Sequence, residues 1–210
     1  MRKLVPYKTT RNALAALDNG GRFYNLLTKS ADGEIAPAEL AKVAGVYSDQ
    51  QQMFLFLEMA LAALPEDGAT TVVSALSPEL KKARRRHRPA MLSPAAAVTT
   101  GKPGKSLIVT GVPRYVQSNT DFVGFIMIPI STGKVTTFSM VPIMDAYDVY
   151  EVRDDASDAN FLVAHARTKT KLPAHRTTFG GILKKLEKSK AKTSAHHGYL
   201  DALFYTPQSD

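Results

Sequence analysis

Apolar residues recur at helical spacing through the first ninety positions of this chain and at alternate positions after about residue 105. The strongest helical stretch spans 49–64. There Phe54, Leu57, Leu61 and Leu64 share a face, which Phe56, Met59 and Ala60 widen. A helix apolar nearly all round belongs in a core. Before it, the pattern predicts a helix over 10–17, capped by Thr10 and stopped at Asn19-Gly20-Gly21. A second runs over 22–27, with Phe23, Tyr24 and Leu27 on one side. A third starts at Pro37, in a first turn where the missing N–H has no helical partner, and runs to about Val46. Ser48 and Gln51 form a candidate capping box for 49–64. Two further turns fall near 72–76. Ser77-Pro78-Glu79 then opens a basic helix that Pro89 closes.

Proline, glycine and small residues crowd 89–105, a composition that reads as a linker. Strands are predicted beyond it at 106–112, 122–130, 135–143, 146–153, 161–168 and 199–205. The 122–128 run is apolar on both faces and so central, with Gly124 marking a bend. Gly180-Gly181 reads as a turn before a short helix over 182–188. The fold class is therefore α+β. A helical module (1–88) and a linker (89–105) lead to a small, mainly antiparallel β domain (106–210), barrel-like or strongly curved, with one short helix.

Residues 28–39, Thr-Lys-Ser-Ala-Asp-Gly-Glu-Ile-Ala-Pro-Ala-Glu, sit between two predicted helices. Gly33 stands at the sharp turn, Ile35 two positions on, and Glu39 closes the stretch. In that register residues 20–47 resemble an EF-hand. The resemblance implies calcium ligation by Thr28, Ser30, Asp32, the Glu34 carbonyl and Glu39. This loop departs from the family in its chemistry. Thr28 stands where an aspartate normally opens the loop, so only Asp32 and Glu39 bring charge. The resemblance thus implies the helix-loop-helix more firmly than the ion, and a helical hairpin with a polar turn is the alternative.

With 44% hydrophobic and 22% charged residues, the composition is that of an ordinary globular core. The absence of cysteine excludes disulfides, thiolate metal sites and cysteine nucleophiles. No apolar run reaches membrane-spanning length and no signal peptide is visible, so a cytoplasmic protein is expected. Charge changes the picture more. The net +8 is distributed in blocks: 80–114 holds nine cations and no acid, 115–160 seven acids against Lys134 and Arg153, and 161–192 nine cations against Glu187. A polyanion is the commonest partner of such blocks.

Lys81, Lys82, Arg84, Arg85, Arg86 and Arg88 form one candidate phosphate-binding set; Arg167, Lys169, Lys171 and Arg176 form another. The competing reading of the first set is a solvated helix end whose cations favour the negative pole of the dipole. Gly101-Lys-Pro-Gly-Lys-Ser106 has the look of a phosphate loop but precedes a strand rather than a helix, which sets it aside. His165 and His175, ten residues apart, could share acid–base work only with an acid from elsewhere, Asp145 or Asp148. The sequence thus points first to a non-catalytic binder of a polyanion, nucleic acid foremost. A protein-interaction or structural module is second, and a hydrolase using the two histidines third.

Overall fold

A computed structural model describes residues 1–20, 29–132, 135–154, 159–167, 171–185 and 198–208, with the backbone alone over 117–145. The predicted 22–27 helix lies outside the described residues. The N-terminal layer consists of α1 (Thr10–Leu17), α2 (Pro37–Ala44), α3 (Gln50–Leu61), α4 (Glu66–Ser74) and α5 (Pro78–His87). Two caps sit one residue from their expected places. Thr9, not Thr10, accepts from the Asn12 N–H, and Asp49, not Ser48, accepts from Gln52. Either oxygen must reach the third helical N–H, and that distance fixes which residue can serve. No helix among the described residues is long and apolar enough to cross a membrane.

The sheet comprises β1 (Arg2–Lys3), β2 (Ala90–Leu92), β3 (Ser106–Thr132), β4 (Val135–Arg153), β5 (Asn160–Ala166), β6 (Thr177–Lys185) and β7 (Gly198–Pro207). β3 pairs with β4, β4 with β5, β5 with β7, β7 with β6, and β6 with β3 again, so five strands close into a barrel. All these pairs are antiparallel except β5–β7. Neighbours traced from Ser106 through Ile182, Asp201, Ala164 and Val149 return to β3 at Gln117, eleven residues further along, one of them the bulged Val116. Such stagger means steeply tilted strands. The connectivity, with the third and fifth barrel strands parallel, is OB-like. The α+β class and the barrel-like sheet expected from the sequence are therefore present.

Several local expectations change. The predicted strands 106–112 and 122–130 are one strand, as are 135–143 and 146–153. A bulge at Tyr115/Gln117 falls within the 113–121 stretch that read as a gap, and a second lies at Phe122/Gly124, where Gly124 marked a bend. Residues 182–185 are strand β6 rather than helix, and Gly180-Gly181 lies inside that strand. The 89–105 stretch is not bare linker. It holds β2, parallel to β3, and α6 (Pro94–Thr100), whose Ala97 enters the barrel core.

Three clusters make the interior. Leu17, Leu40, Phe54, Leu57 and Leu76 pack among the helices. Leu107, Val109, Val152, Phe161, Phe179 and Leu200 fill the barrel. Between them, Leu55, Met59 and Ala60 of α3 pack on Leu4, Ile108 and Phe204, joining the two parts. Arg2 adds a link: its guanidinium donates to the Ala44 carbonyl at the end of α2 and lies 4.9 Å from the Phe204 ring centre.

The paired glycines are where strands and helix approach most closely. A Cβ on Gly180 would stand 2.3 Å from Met59 Sδ, and one on Gly181 would stand 2.2 Å from the Asp201 carbonyl oxygen. The first obstacle is a flexible side chain, the second is backbone. Gly181→Ala is expected to destabilise the protein by about 2–4 kcal/mol and Gly180→Ala by less, read from urea midpoints.

Candidate functional site

α5 is divided cleanly by its own periodicity. At about 100° per residue, Leu80, Ala83, Arg84 and His87 fall on one side and Lys81, Lys82, Arg85 and Arg86 on the other. Leu80 and Ala83 are buried against the helical core, an apolar seam on an otherwise basic helix. Arg84 turns inward to Glu58 of α3 at 2.6 Å, and Arg88 reaches the same carboxylate at 3.4 Å. These two candidate phosphate contacts are thereby committed to an internal acid. Lys81, Lys82, Arg85 and Arg86 are exposed and make no ion pair among the described residues. They form a ridge of four cations on a helix surface.

The second basic set folds differently. Asp148, fully buried on β4, receives a hydrogen bond from Lys171 at 3.1 Å and faces Arg167 Nε at 3.6 Å. The Lys171 ammonium also lies 4.0 Å from the Tyr115 ring centre. Next to them, the Tyr150 hydroxyl accepts from the Leu172 N–H. Arg176 donates to Gln208 at 2.9 Å and lines a different cleft, about 880 Å³, beside Met59, Met91 and Ile108. Lys169 lies outside the described residues. Among the described residues, the outward positions of β4 and β5 carry Tyr147, Val149, Glu151, Arg153 and Leu162, a single cation rather than a row.

His165 and His175 part company. His175 is exposed, while His165 is only 2% exposed and stacks on Tyr150 at 5.6 Å. His165 Nδ1 donates to the Ala166 carbonyl at 2.6 Å, which leaves Nε2 buried without a partner. Burial is the main cause lowering its pKa. The Met1 amino group and Lys171 push the same way, against the Ala166 hydrogen bond and Asp148. The ring is a neutral packing element at ordinary pH.

In the calcium-loop candidate, the side chains mostly serve the backbone. Glu39 is fully buried. Its carboxylate accepts from the Gly20 N–H and, at 2.7 Å, from the Ala36 N–H. Asp18 accepts from the Gly33 and Asp32 N–H groups, and Asp32 from Glu34. Ser30 bridges to Asn19, and Ile35 to Leu76 in parallel. Thr28 lies outside the described residues. Among the described residues, no three His, Asp or Glu side chains gather as a metal cage.

Sequence reasoning missed Glu58 and Asp148 as organisers of charge, and Gln51 and Lys105 as neighbours of the α5 terminus. A lone acid on the apolar 49–64 helix was the available signal: a carboxylate there demands a cation. The chain matches no family model and no curated protein. Among solved structures it is similar to the N-terminal domain of an archaeal MCM, at 10% identity and TM-score 0.41, over 84% of this chain and 86% of that one.

Two outcomes follow from these contacts. Glu39→Gln, which turns an acceptor into a donor facing an N–H, should cost about 1–3 kcal/mol in urea denaturation with chelator present. For His165, the unfolded chain takes up a proton near the ordinary 6.5 while the folded ring resists it, so stability present above that pH is lost as pH falls below it. His165→Phe should flatten the decline in Tm between about pH 7 and pH 5.5. An unchanged decline would place the responsible group elsewhere.

Proposed function

We propose that this protein binds a polyanion, nucleic acid foremost, through the outer ridge of α5. The observation carrying this reading is the division of that helix. Its apolar side and Arg84 are held by the core, while Lys81, Lys82, Arg85 and Arg86 face solvent and form no ion pair among the described residues, with Glu79 of the first turn as the single acid of that helix. Like charges at helical neighbours repel one another, so an unopposed ridge costs stability in the unbound protein. An anionic backbone relieves that repulsion and releases its condensed counterions as it binds.

The OB-like barrel supports the reading as a scaffold, since barrels of this connectivity commonly present surfaces to oligonucleotides. Fold alone does not carry function. The ridge therefore bears the weight, with the helical layer rather than the barrel wall supplying the phosphate contacts. Of the cations first nominated, Arg84 and Arg88 act from behind by fixing the helix, and Arg167 and Lys171 are held by Asp148.

The test is fluorescence anisotropy of a labelled single-stranded oligonucleotide across a salt series. Replacing Lys81, Lys82, Arg85 and Arg86 together by Gln should reduce the slope of log affinity against log salt by about 3. Failure to bind at low salt, or an unchanged slope in the variant, would remove the proposal.

A further inference from the structure

Where α5 ends, the chain makes a second, more enclosed feature. A recess of about 240 Å³ opens between the last turn of α5 and the first residues of β3. Arg86, His87 and Arg88 enter it from the helix, Lys105 and Ser106 from the strand, and Gln51 from the first turn of α3. Among the described residues, no carboxylate lines it. Glu58 engages Arg88 at 3.4 Å, but shares itself with Arg84, so two guanidiniums face one acid and the surplus charge remains. Arg86 and Lys105 add two cations without ion pairs.

We propose that this recess holds a terminal phosphate of a nucleic-acid strand whose following backbone runs along the α5 ridge. The inference deepens the ridge reading and rests on it. Arg86 belongs to both features, and Lys81 lies only about 7.5 Å back along the helix axis, within reach of the next phosphates.

Three lines of chemistry favour a phosphomonoester over an internal diester. A monoester carries close to two charges and three strong acceptor oxygens, whereas a diester offers one charge and needs an open exit on both sides. The cations converge from two separate elements, which suits a group enclosed from several directions. The volume admits a phosphate with a few waters, each water's share being about 30 Å³. The α5 C-terminus brings a partial negative charge of about one half, outweighed by the two full charges of Arg86 and Lys105.

Gln51 also lines the recess, and its side-chain amide carries N–H donors of the kind an oxyanion needs. Ser106, itself buried, adds a hydroxyl at the recess wall. Lys105-Ser106 thus regains a phosphate-binding role without a phosphate-loop fold: lysine and hydroxyl lie at the head of a strand, and the cations come from a helix that precedes them.

The experiment compares three otherwise identical, internally labelled single-stranded oligonucleotides against the full chain: 5′-phosphorylated, 3′-phosphorylated and unphosphorylated. One phosphorylated form should bind about tenfold tighter or more, the effect of charge-assisted hydrogen bonds to one added group. Lys105→Ala should remove that preference and leave the unphosphorylated affinity within about twofold. The side chain is exposed, and its backbone carbonyl still accepts the Leu183 N–H. Equal affinity for all three forms, or a preference that survives Lys105→Ala and Lys105→Glu alike, overturns the recess while leaving the ridge standing. Absence of binding by every form at low salt overturns both.

Discussion

The structure depends on α3 being buried on two sides at once. Met53, Phe54, Leu57 and Leu61 serve the helical core, while Leu55, Met59 and Ala60 press on the barrel. One helix of twelve residues thus belongs to two hydrophobic clusters, and neither part of the chain can shift without exposing apolar area at about 25 cal/mol per Å². The glycines of β6 are the matching constraint. Gly180 admits Met59 and Leu55, and Gly181 lets β7 come close at the bulge. Burial of α3 also decides the charge pattern outside it. Glu58 sits on this helix nearly buried, and a buried carboxylate is tolerable only with a partner. Arg84 supplies the partner, and with Leu80 and Ala83 it sets the rotation of α5. Once that rotation is set, Lys81, Lys82, Arg85 and Arg86 have no direction to face but outward.

The same logic explains why residues 28–39 look like a metal loop. A tight polar turn between helices leaves backbone N–H groups pointing inward, and carboxylates and carbonyls are the groups that satisfy them. Glu39 receives two such N–H groups and Asp18 two more. The residue types that cage a cation are therefore also those that cap a turn. A loop poor in charge tilts toward the second use, because each oxygen given to a backbone N–H is withdrawn from ligation.

The helical half was largely legible, since α1, α2 and α3 pair an apolar period with a start signal such as Pro37, and α5 announces itself by its start at Ser77-Pro78. The barrel half was legible as strands but not as lengths. Bulges interrupt the alternation at Val116 and around Val123, so one long strand reads as two. Gly180-Gly181 misled for a definite reason: glycine marks turns most often, but here it marks crowding by α3 and β7. The 89–105 segment misled likewise, since Ala97 is small enough to pack against the barrel and a seven-residue helix carries little periodicity. Site chemistry was half legible. Basic residues could be counted, but which of them meet an internal acid depends on Glu58 and Asp148, whose neighbours are distant in sequence.

That sorting of cations bears on how an OB-like barrel can serve a polyanion when its β4–β5 wall lacks a basic row. Attraction for a phosphate chain depends on where unopposed charge lies, not on where a fold usually presents it. Asp148 pairs with Arg167 and Lys171, which offsets part of their charge. Glu58 draws in Arg84 and Arg88, yet it is one acid against six cations in eight residues, and four remain outside. The four exposed cations of α5 therefore sit on a helix packed against α3. The barrel's contribution is to hold that helix rigid through α3, and to bring Lys105 and Ser106 to its end.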